Sequence, residues 1–300
     1  MATEGGALRP ASAGSTLPAL ALVLNAFTWG LSWWPFRALS EQGLHPLWAT
    51  AIIYLLAVLA ISVWRPNAWS ALWRTRSLWW LVLASGTTNA CFNWGVTVGD
   101  VVRVILLFYL MPLWAVLLAR WLLQERLALT GALRIALALA GAAIVLWPAA
   151  GGLPLPQSLA EWLGVLGGFS FALNNVLLRK HAQQPQETRA LAMFVGGALV
   201  AAALASALSA GAGVPLPPAP AWGWIAGAVA LGLVFLVGNL ALQYGASRLP
   251  ANVTAVVLVS EVLFAGGSAV ALGAGVLTPH VVLGGSLIVA ASLLAAWRRG

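Results

Sequence analysis

The sequence predicts an all-α integral membrane protein of ten transmembrane helices, arranged as two inverted five-helix repeats. Three observations carry that prediction. With 61% hydrophobic residues, 7% charged residues and a mean hydropathy of +0.93, a chain of 300 residues has too few polar side chains to cover a water-soluble globule of its size. Its apolar stretches fall into runs of about 20 residues, the length that crosses about 30 Å of hydrocarbon as a helix. The segment Asn89-Ala90-Cys91-Phe92-Asn93-Trp94-Gly95 recurs 150 residues later as Asn239-Leu240-Ala241-Leu242-Gln243-Tyr244-Gly245, an offset that also carries Leu127 onto Leu277 and Trp147 onto Trp297. In a chain so rich in Leu and Ala, the Asn, aromatic and Gly matches are the informative ones.

The ten runs lie near 17–38, 46–64, 77–98, 101–123, 130–147, 160–178, 190–211, 222–244, 251–273 and 279–297. Thr16 before Pro18, Pro46, Thr130, and Thr278 with Pro279 mark helix starts, because proline lacks a donor that would be orphaned in the first turn anyway. The first run has no small-residue cleavage site and continues into Trp33-Trp34, so a retained span is expected rather than a signal peptide. This divides the chain into an N-terminal tail (1–16), a first five-helix repeat (17–147), a linker (148–159), a second repeat (160–297) and a C-terminus at 298–300. Five spans per repeat is an odd number, so the second copy must enter the membrane from the opposite side. In the first span the match is Phe27-Thr28-Trp29 with Phe169-Ser170-Phe171, at an offset of 142. The uncharged Gly/Pro-rich stretch from Gly211 to Pro220 accommodates the additional residues of the second copy.

A net charge of +8 would suggest a nucleic-acid partner in a soluble protein, yet here the basic residues sort by membrane side. With the N-terminus cytoplasmic, only Arg37 and Arg103 fall outside, and the remaining cations, Arg65, Arg74, Arg76, Arg179 and Lys180 among them, fall inside. Both termini are therefore expected to be cytoplasmic, in a bacterial-type inner (plasma) membrane with the linker periplasmic and no nucleic acid bound. Trp64, Trp69, Trp147, Trp162, Trp222 and Trp297 near span ends fit an interfacial aromatic belt. One cysteine excludes an internal disulfide, and His45, His181 and His280 make no metal-ligand spacing. With no Ser/His/Asp grouping either, no metal, no cofactor, no catalytic residues and no enzyme are expected.

Leu122-Leu123-Gln124-Glu125-Arg126-Leu127 closing the fourth span, Pro112 at its centre, Gly131 and Gly141 in the fifth, and Ala26-Phe27-Thr28-Trp29-Gly30 in the first resemble the EamA-type repeat of the drug/metabolite transporter superfamily. The resemblance covers nearly the whole chain and implies ten helices, cytoplasmic termini and export of small organic solutes. The second copy departs from the pattern, with Val262 where the repeat usually has Pro and Gly275 where it has Glu.

Polar side chains within hydrocarbon turn inward, which gives a short inventory for a substrate cavity: Asn25, Trp29, Tyr54, Asn89, Asn93, Tyr109, Asn175, Asn239, Gln243, Ser260 and Glu261. Asn89 and Asn93 share a helix face, as do Asn239 and Gln243, and inverted symmetry makes Asn93 and Gln243 opposite lips of one cavity. The competing reading of each amide is glue between helices, worth about 0.6 kcal/mol. Glu261 stands alone as a carboxylate near the middle of a span, where insertion costs roughly 2.5–3.5 kcal/mol. It is the coupling candidate, as a proton carrier or as the partner of a substrate ammonium; the alternative is a permanently protonated acid bonded to a neighbour. Glycines such as Gly164, Gly167, Gly168, Gly196, Gly197, Gly266 and Gly267 are expected to let helices approach closely.

No central span carries the Lys or Arg that phosphate esters would need. The cavity should take an amino acid, neutral or aromatic, or an organic cation, and the amino-acid exporters, the YddG-type aromatic ones among them, are the family branch most similar in character. The expected function is a secondary-active exporter working by alternating access, with the lipid bilayer and a small solute as partners and a proton as candidate co-substrate. A multidrug-type exporter of organic cations and a passive pore are the alternatives.

Overall fold

The computed structural model describes residues 13–124, 129–147, 153–211, 213–246, 248–249, 254 and 257–297. Among the described residues there are thirteen α-helices and no strand: α1 (Ala13–Leu31), α2 (Trp33–Glu41), α3 (Pro46–Trp64), α4 (Asn67–Arg74), α5 (Leu78–Val98), α6 (Val101–Phe108), α7 (Met111–Leu123), α8 (Leu129–Val145), α9 (Leu159–Lys180), α10 (Gln186–Ala210), α11 (Trp222–Ala246), α12 (Ser260–Ala271) and α13 (Pro279–Trp297). Among the described residues, five stretches are long and apolar enough to cross a membrane: Thr16–Glu41, Pro46–Trp64, Val101–Leu123, Gln186–Ala210 and Trp222–Leu242. Gly131–Val145, Ser260–Ala271 and Pro279–Leu294 are shorter apolar helices. Large apolar side chains such as Leu55, Leu59, Leu233, Val237 and Leu263 are exposed, a surface that suits lipid and not water.

Two of the expected spans are interrupted ahead of a proline, and a third without one. The first breaks between α1 and α2 at Ser32, and the fourth between α6 and α7 at Tyr109 and Leu110. Proline is the cause in both of these. Pro35 offers no N–H to the carbonyl of Leu31, and Pro112 none to that of Phe108, so each helix ends four residues before its proline. In the ninth expected span Val257 and Leu258 are helical, Val259 is a turn and α12 follows, although no proline stands there. The short α4 was not foreseen; it buries Ala68 and Leu72, and Trp69 Nε1 donates to Ser62 Oγ at 2.9 Å.

The packing has a regular register. α3 and α10 run antiparallel, with Tyr54 against Gly197 and Phe194, and Leu47 and Ala51 beside Ala201 and Ala205. α8 and α13 also run antiparallel: Gly141 meets Gly284 backbone to backbone, and Arg134 Nη2 donates to the Leu294 carbonyl at 2.9 Å. α5 packs on α9 and α10, α9 on α6 and α7, α1 on α11 and α12, and α11 on α3. When spans are paired in chain order across the two halves, every one of these contacts has a counterpart. α5–α9 corresponds to α1–α11, α9–α6/α7 to α1–α12, and α5–α10 to α11–α3, while α3–α10 and α8–α13 are their own counterparts.

Two ring pairs repeat the relation in detail. Phe27 meets Phe264 edge-on at 5.4 Å and 82°, and Phe169 meets Trp114 at 5.5 Å and 86°. Phe169 is the sequence equivalent of Phe27 at the 142-residue offset, and Phe264 that of Trp114 at the 150-residue offset.

Glycines make the close approaches at Gly164, Gly167, Gly168, Gly196 and Gly197 that the sequence led us to expect. Gly266 and Gly267 do not: nothing lies within 4 Å of a Cβ at either, because α12 turns its Ala265 and Ala269 inward instead.

His45 begins α3, and its Nδ1 accepts from the Leu47 N–H at 3.2 Å. Burial lowers its pKa from 6.5, and only the neutral ring can cap. Because the folded pKa lies below the unfolded one, the unfolded chain takes up the proton first, and the stability present above 6.5 declines as pH falls toward the folded pKa. Thermal melting in detergent should show this loss below pH 6.5, and His45→Asn, which caps without titrating, should flatten it. An unchanged pH profile in that variant would remove His45 from the account.

Candidate substrate site

Glu261 lies in the first turn of α12, where the helix N-terminus favours a negative charge. Its backbone carbonyl packs against Gly30 of α1, where a Cβ would come within 3.0 Å. The Tyr109 hydroxyl lies beside its carboxylate. Tyr109 is buried at the break between α6 and α7, and Glu261 follows the break at Val259. These two interruptions fall at equivalent positions, 109 and 259, of the sequence repeat. Helix breaks free backbone polar groups within a span, and in membrane proteins such irregular backbone is tolerated where it is enclosed by protein or borders a cavity.

A file of aromatic rings crosses the bundle beside this pair. Phe235 of α11 stacks on Trp29 of α1 at 4.6 Å and 20°, and Trp29 meets Phe92 of α5 edge-on at 6.3 Å. Phe92 then meets Phe108 of α6 at 5.0 Å, and Phe108 meets Phe171 of α9 at 5.4 Å. Each half contributes: Phe171 is the sequence equivalent of Trp29 at the 142-residue offset. Rings so placed can stack on an aromatic solute or hold a cation over a face, for about 0.5–2 kcal/mol each.

The structure brings together Trp29, Tyr109, Ser260 and Glu261 but directs several amides elsewhere. Asn89 and Asn93 do share a face of α5, and that face meets α3. Asn89 accepts from the Tyr54 hydroxyl and donates to the Ser85 carbonyl at 2.8 Å, and Asn93 donates to Thr50 Oγ1 at 3.0 Å. Asn25 donates to the Gly238 carbonyl of α11 at 2.9 Å. Asn175 is exposed on α9 and Asn239 is partly buried on α11, while the Gln243 side chain lies outside the described residues. Ser260 Oγ donates to the Val257 carbonyl at 2.6 Å, across the turn that precedes α12.

The sequence reading passed over Phe92, Phe108 and Phe235, which composition does not separate from ordinary packing. It also passed over a charged cluster at the end assigned to the outside. Asp100 caps α6, its Oδ1 accepting from the Arg103 N–H at 2.9 Å and its Oδ2 from the Val276 N–H at 3.0 Å. An acid directly before an apolar helical run was the available signal. Arg103 pairs with the buried Glu161 of α9 at 2.8 Å. Arg37 of α2 donates to the carbonyls of Val96 and Gly99, at 3.2 and 2.5 Å, at the end of α5. A cleft of about 460 Å³ opens here, lined by Arg37, Glu41, Thr97, Asp100, Gly273 and Val276 among others.

With the helices, their breaks and the aromatic file in place, the chain can be compared with known proteins. Residues 16–147 match the EamA-like transporter family. The EamA-like segment runs from within α1 past the end of α8 and thus includes Trp29, Phe92, Phe108 and Tyr109. Together with helices of membrane-spanning length, the match describes an integral membrane protein with a solute-transporter domain, and the family is one of transporters and not of enzymes. A solved structure described as "Crystal structure of protein" superimposes with a TM-score of 0.57 at 18% identity, covering 93% of this chain and 96% of that chain, which shows a shared fold. A comparison with curated proteins gives no match.

Proposed function

We propose that the protein is a secondary-active exporter of amino acids, neutral or aromatic, working by alternating access around the Glu261–Tyr109 pair. The observation that carries this reading is the meeting of a carboxylate from one half and a buried tyrosine from the other, at equivalent helix breaks beside shared rings. Discontinuous helices near the midplane are a recurring way for transporters to build a solute site. A carboxylate can receive a solute's ammonium group, and Trp29, Phe92 and Phe108 can receive its side chain.

The inverted repeat is supported by the exchange of contacts between halves and by the direction of the self-paired helices. Repeats of the same orientation would set α3 beside α10, and α8 beside α13, running the same way; both pairs are antiparallel. Two similar halves packed in opposite senses can rock between states of similar energy that open to opposite faces. Ten spans with both termini cytoplasmic, in a bacterial-type inner membrane, complete the reading through the distribution of Arg and Lys.

The test is counterflow in proteoliposomes with labelled amino acids and quaternary ammonium ions, with and without a pH gradient. Uptake of labelled amino acid should rise severalfold when unlabelled amino acid is held on the opposite side. Flux without such trans-stimulation would indicate a pore and sink the carrier reading. Counterflow of quaternary ammonium ions alone would replace amino acids by organic cations.

A further inference from the structure

We infer that the turn opening α6, residues 99–103, is the outer gate of the carrier, held shut by direct bonds to the second half of the chain. The inference rests on the alternating-access reading above and adds the location of the barrier. Three ties converge on this turn. Val101 N–H donates to the Ala274 carbonyl at 3.1 Å, Val276 N–H donates to Asp100 Oδ2 at 3.0 Å, and Arg103 Nη2 pairs with Glu161 Oε1 at 2.8 Å. Each joins a residue of the first half to one of the second.

The loop that reaches Asp100 is shaped by its own backbone. Gly273 follows α12 with φ +70, a conformation that favours glycine. Its N–H donates to the Val270 carbonyl at 3.2 Å, and the Ala274 N–H to that of Ala269 at 2.6 Å, so the helix end is closed and the chain is turned toward α6. On the other side Glu161 is held by more than Arg103: its Oε2 accepts from the Gln157 N–H at 2.7 Å. Glu161 is buried, and removing either member of the pair leaves the other charge uncompensated. The ties thus favour the state in which this end is closed, and they must part for the halves to separate here. The polar cleft beside Asp100 lies outside the gate and gives its released groups access to water.

The geometry also supplies a lock. A Cβ at Gly275 would stand 3.4 Å from that of Val102, close to the roughly 3.5–4.5 Å of a disulfide. In a Cys91→Ala background, Val102→Cys with Gly275→Cys should form the bond on oxidation, stop counterflow, and regain it on reduction. In the same background Ser268→Cys reports opening, because Ser268 is partly buried on α12 beneath the loop and accepts from Trp33 Nε1 at 3.0 Å. Asp100→Ala or Glu161→Gln should raise its labelling by an impermeant maleimide from the outer side about fivefold or more, the smallest effect expected of a coupling between two states. Labelling unchanged in both variants, or full counterflow with the disulfide formed, overturns the inference. If Asp100→Ala does not fold, the disulfide decides, since it leaves Asp100, Arg103 and Glu161 in place. Wild-type protein without trans-stimulation counts against the carrier reading alone, and the labelling ratio still judges whether these ties hold the outer end shut.

Discussion

Gly196→Val should melt far below the parent protein. A Cβ at Gly196 would stand 2.1 Å from the Val82 carbonyl oxygen and 3.0 Å from the Gly86 nitrogen, and one at Gly86 would stand 2.3 Å from the Gly196 oxygen. These are contacts between backbones, so no change of rotamer relieves them and α5 must move away from α10. That movement breaks the hydrogen bond from Ser85 Oγ to the Met193 carbonyl and disturbs the Asn89–Tyr54 pair beside it. Overpacking alone costs about 1–3 kcal/mol, and the lost polar contacts bring the total to about 3 kcal/mol or more. Thermal melting in detergent, followed by size-exclusion chromatography, measures it. Gly267→Val is the control, since nothing lies within 4 Å of that position and its melting should match the parent. Equal melting of the two variants would refute the close crossing of α5 and α10.

Glu261→Gln should reduce transport at least tenfold while leaving the fold intact. The amide keeps the volume and still faces Tyr109, so what disappears is the ionisable carboxyl group. A hydrogen bond to a charged group contributes about 1.5–3 kcal/mol, which corresponds to a loss of tenfold or more. The manner of the loss identifies the role. A raised KM for a cationic solute with pH-gradient stimulation retained assigns Glu261 to the solute, whereas loss of the gradient's effect assigns it to the proton. Wild-type rates with unaltered gradient dependence would leave Glu261 with neither.

The helices were legible because their cause is local. Apolar runs, with Pro46 at the start of α3, placed α3 and α5 to within a residue, at Pro46–Trp64 and Leu78–Val98. The prolines were visible too, but their effect depends on which carbonyl lies four residues back, and so the breaks at Ser32 and Tyr109 went unstated. Among the site residues, Glu261 was legible as a charge without local compensation. Its partner was not, because Tyr109 reaches it across 152 positions of sequence, a distance no periodicity encodes. Asn89 and Asn93 show the complementary limit. Their spacing correctly put them on one face, but which neighbour that face meets was decided by Thr50 and Tyr54 of α3. The cation sorting that placed Arg103 outside could not show its ion pair, since Glu161 lies on another helix.

The pairing of α5 with α3 bears on how the chain is made. α5 and α9 have spanning length, at 21 and 22 residues, yet neither is among the stretches apolar enough to cross by themselves. A translocon that releases segments according to their hydrophobicity would hold α5 back until its amides were matched. Part of the match has already been synthesised, for Thr50 and Tyr54 precede Asn89 and Asn93 and bond to Asn93 Nδ2 and Asn89 Oδ1. Insertion of α5 is thereby expected to couple to α3 as a hairpin, which offers α9 the face it packs against in the folded protein.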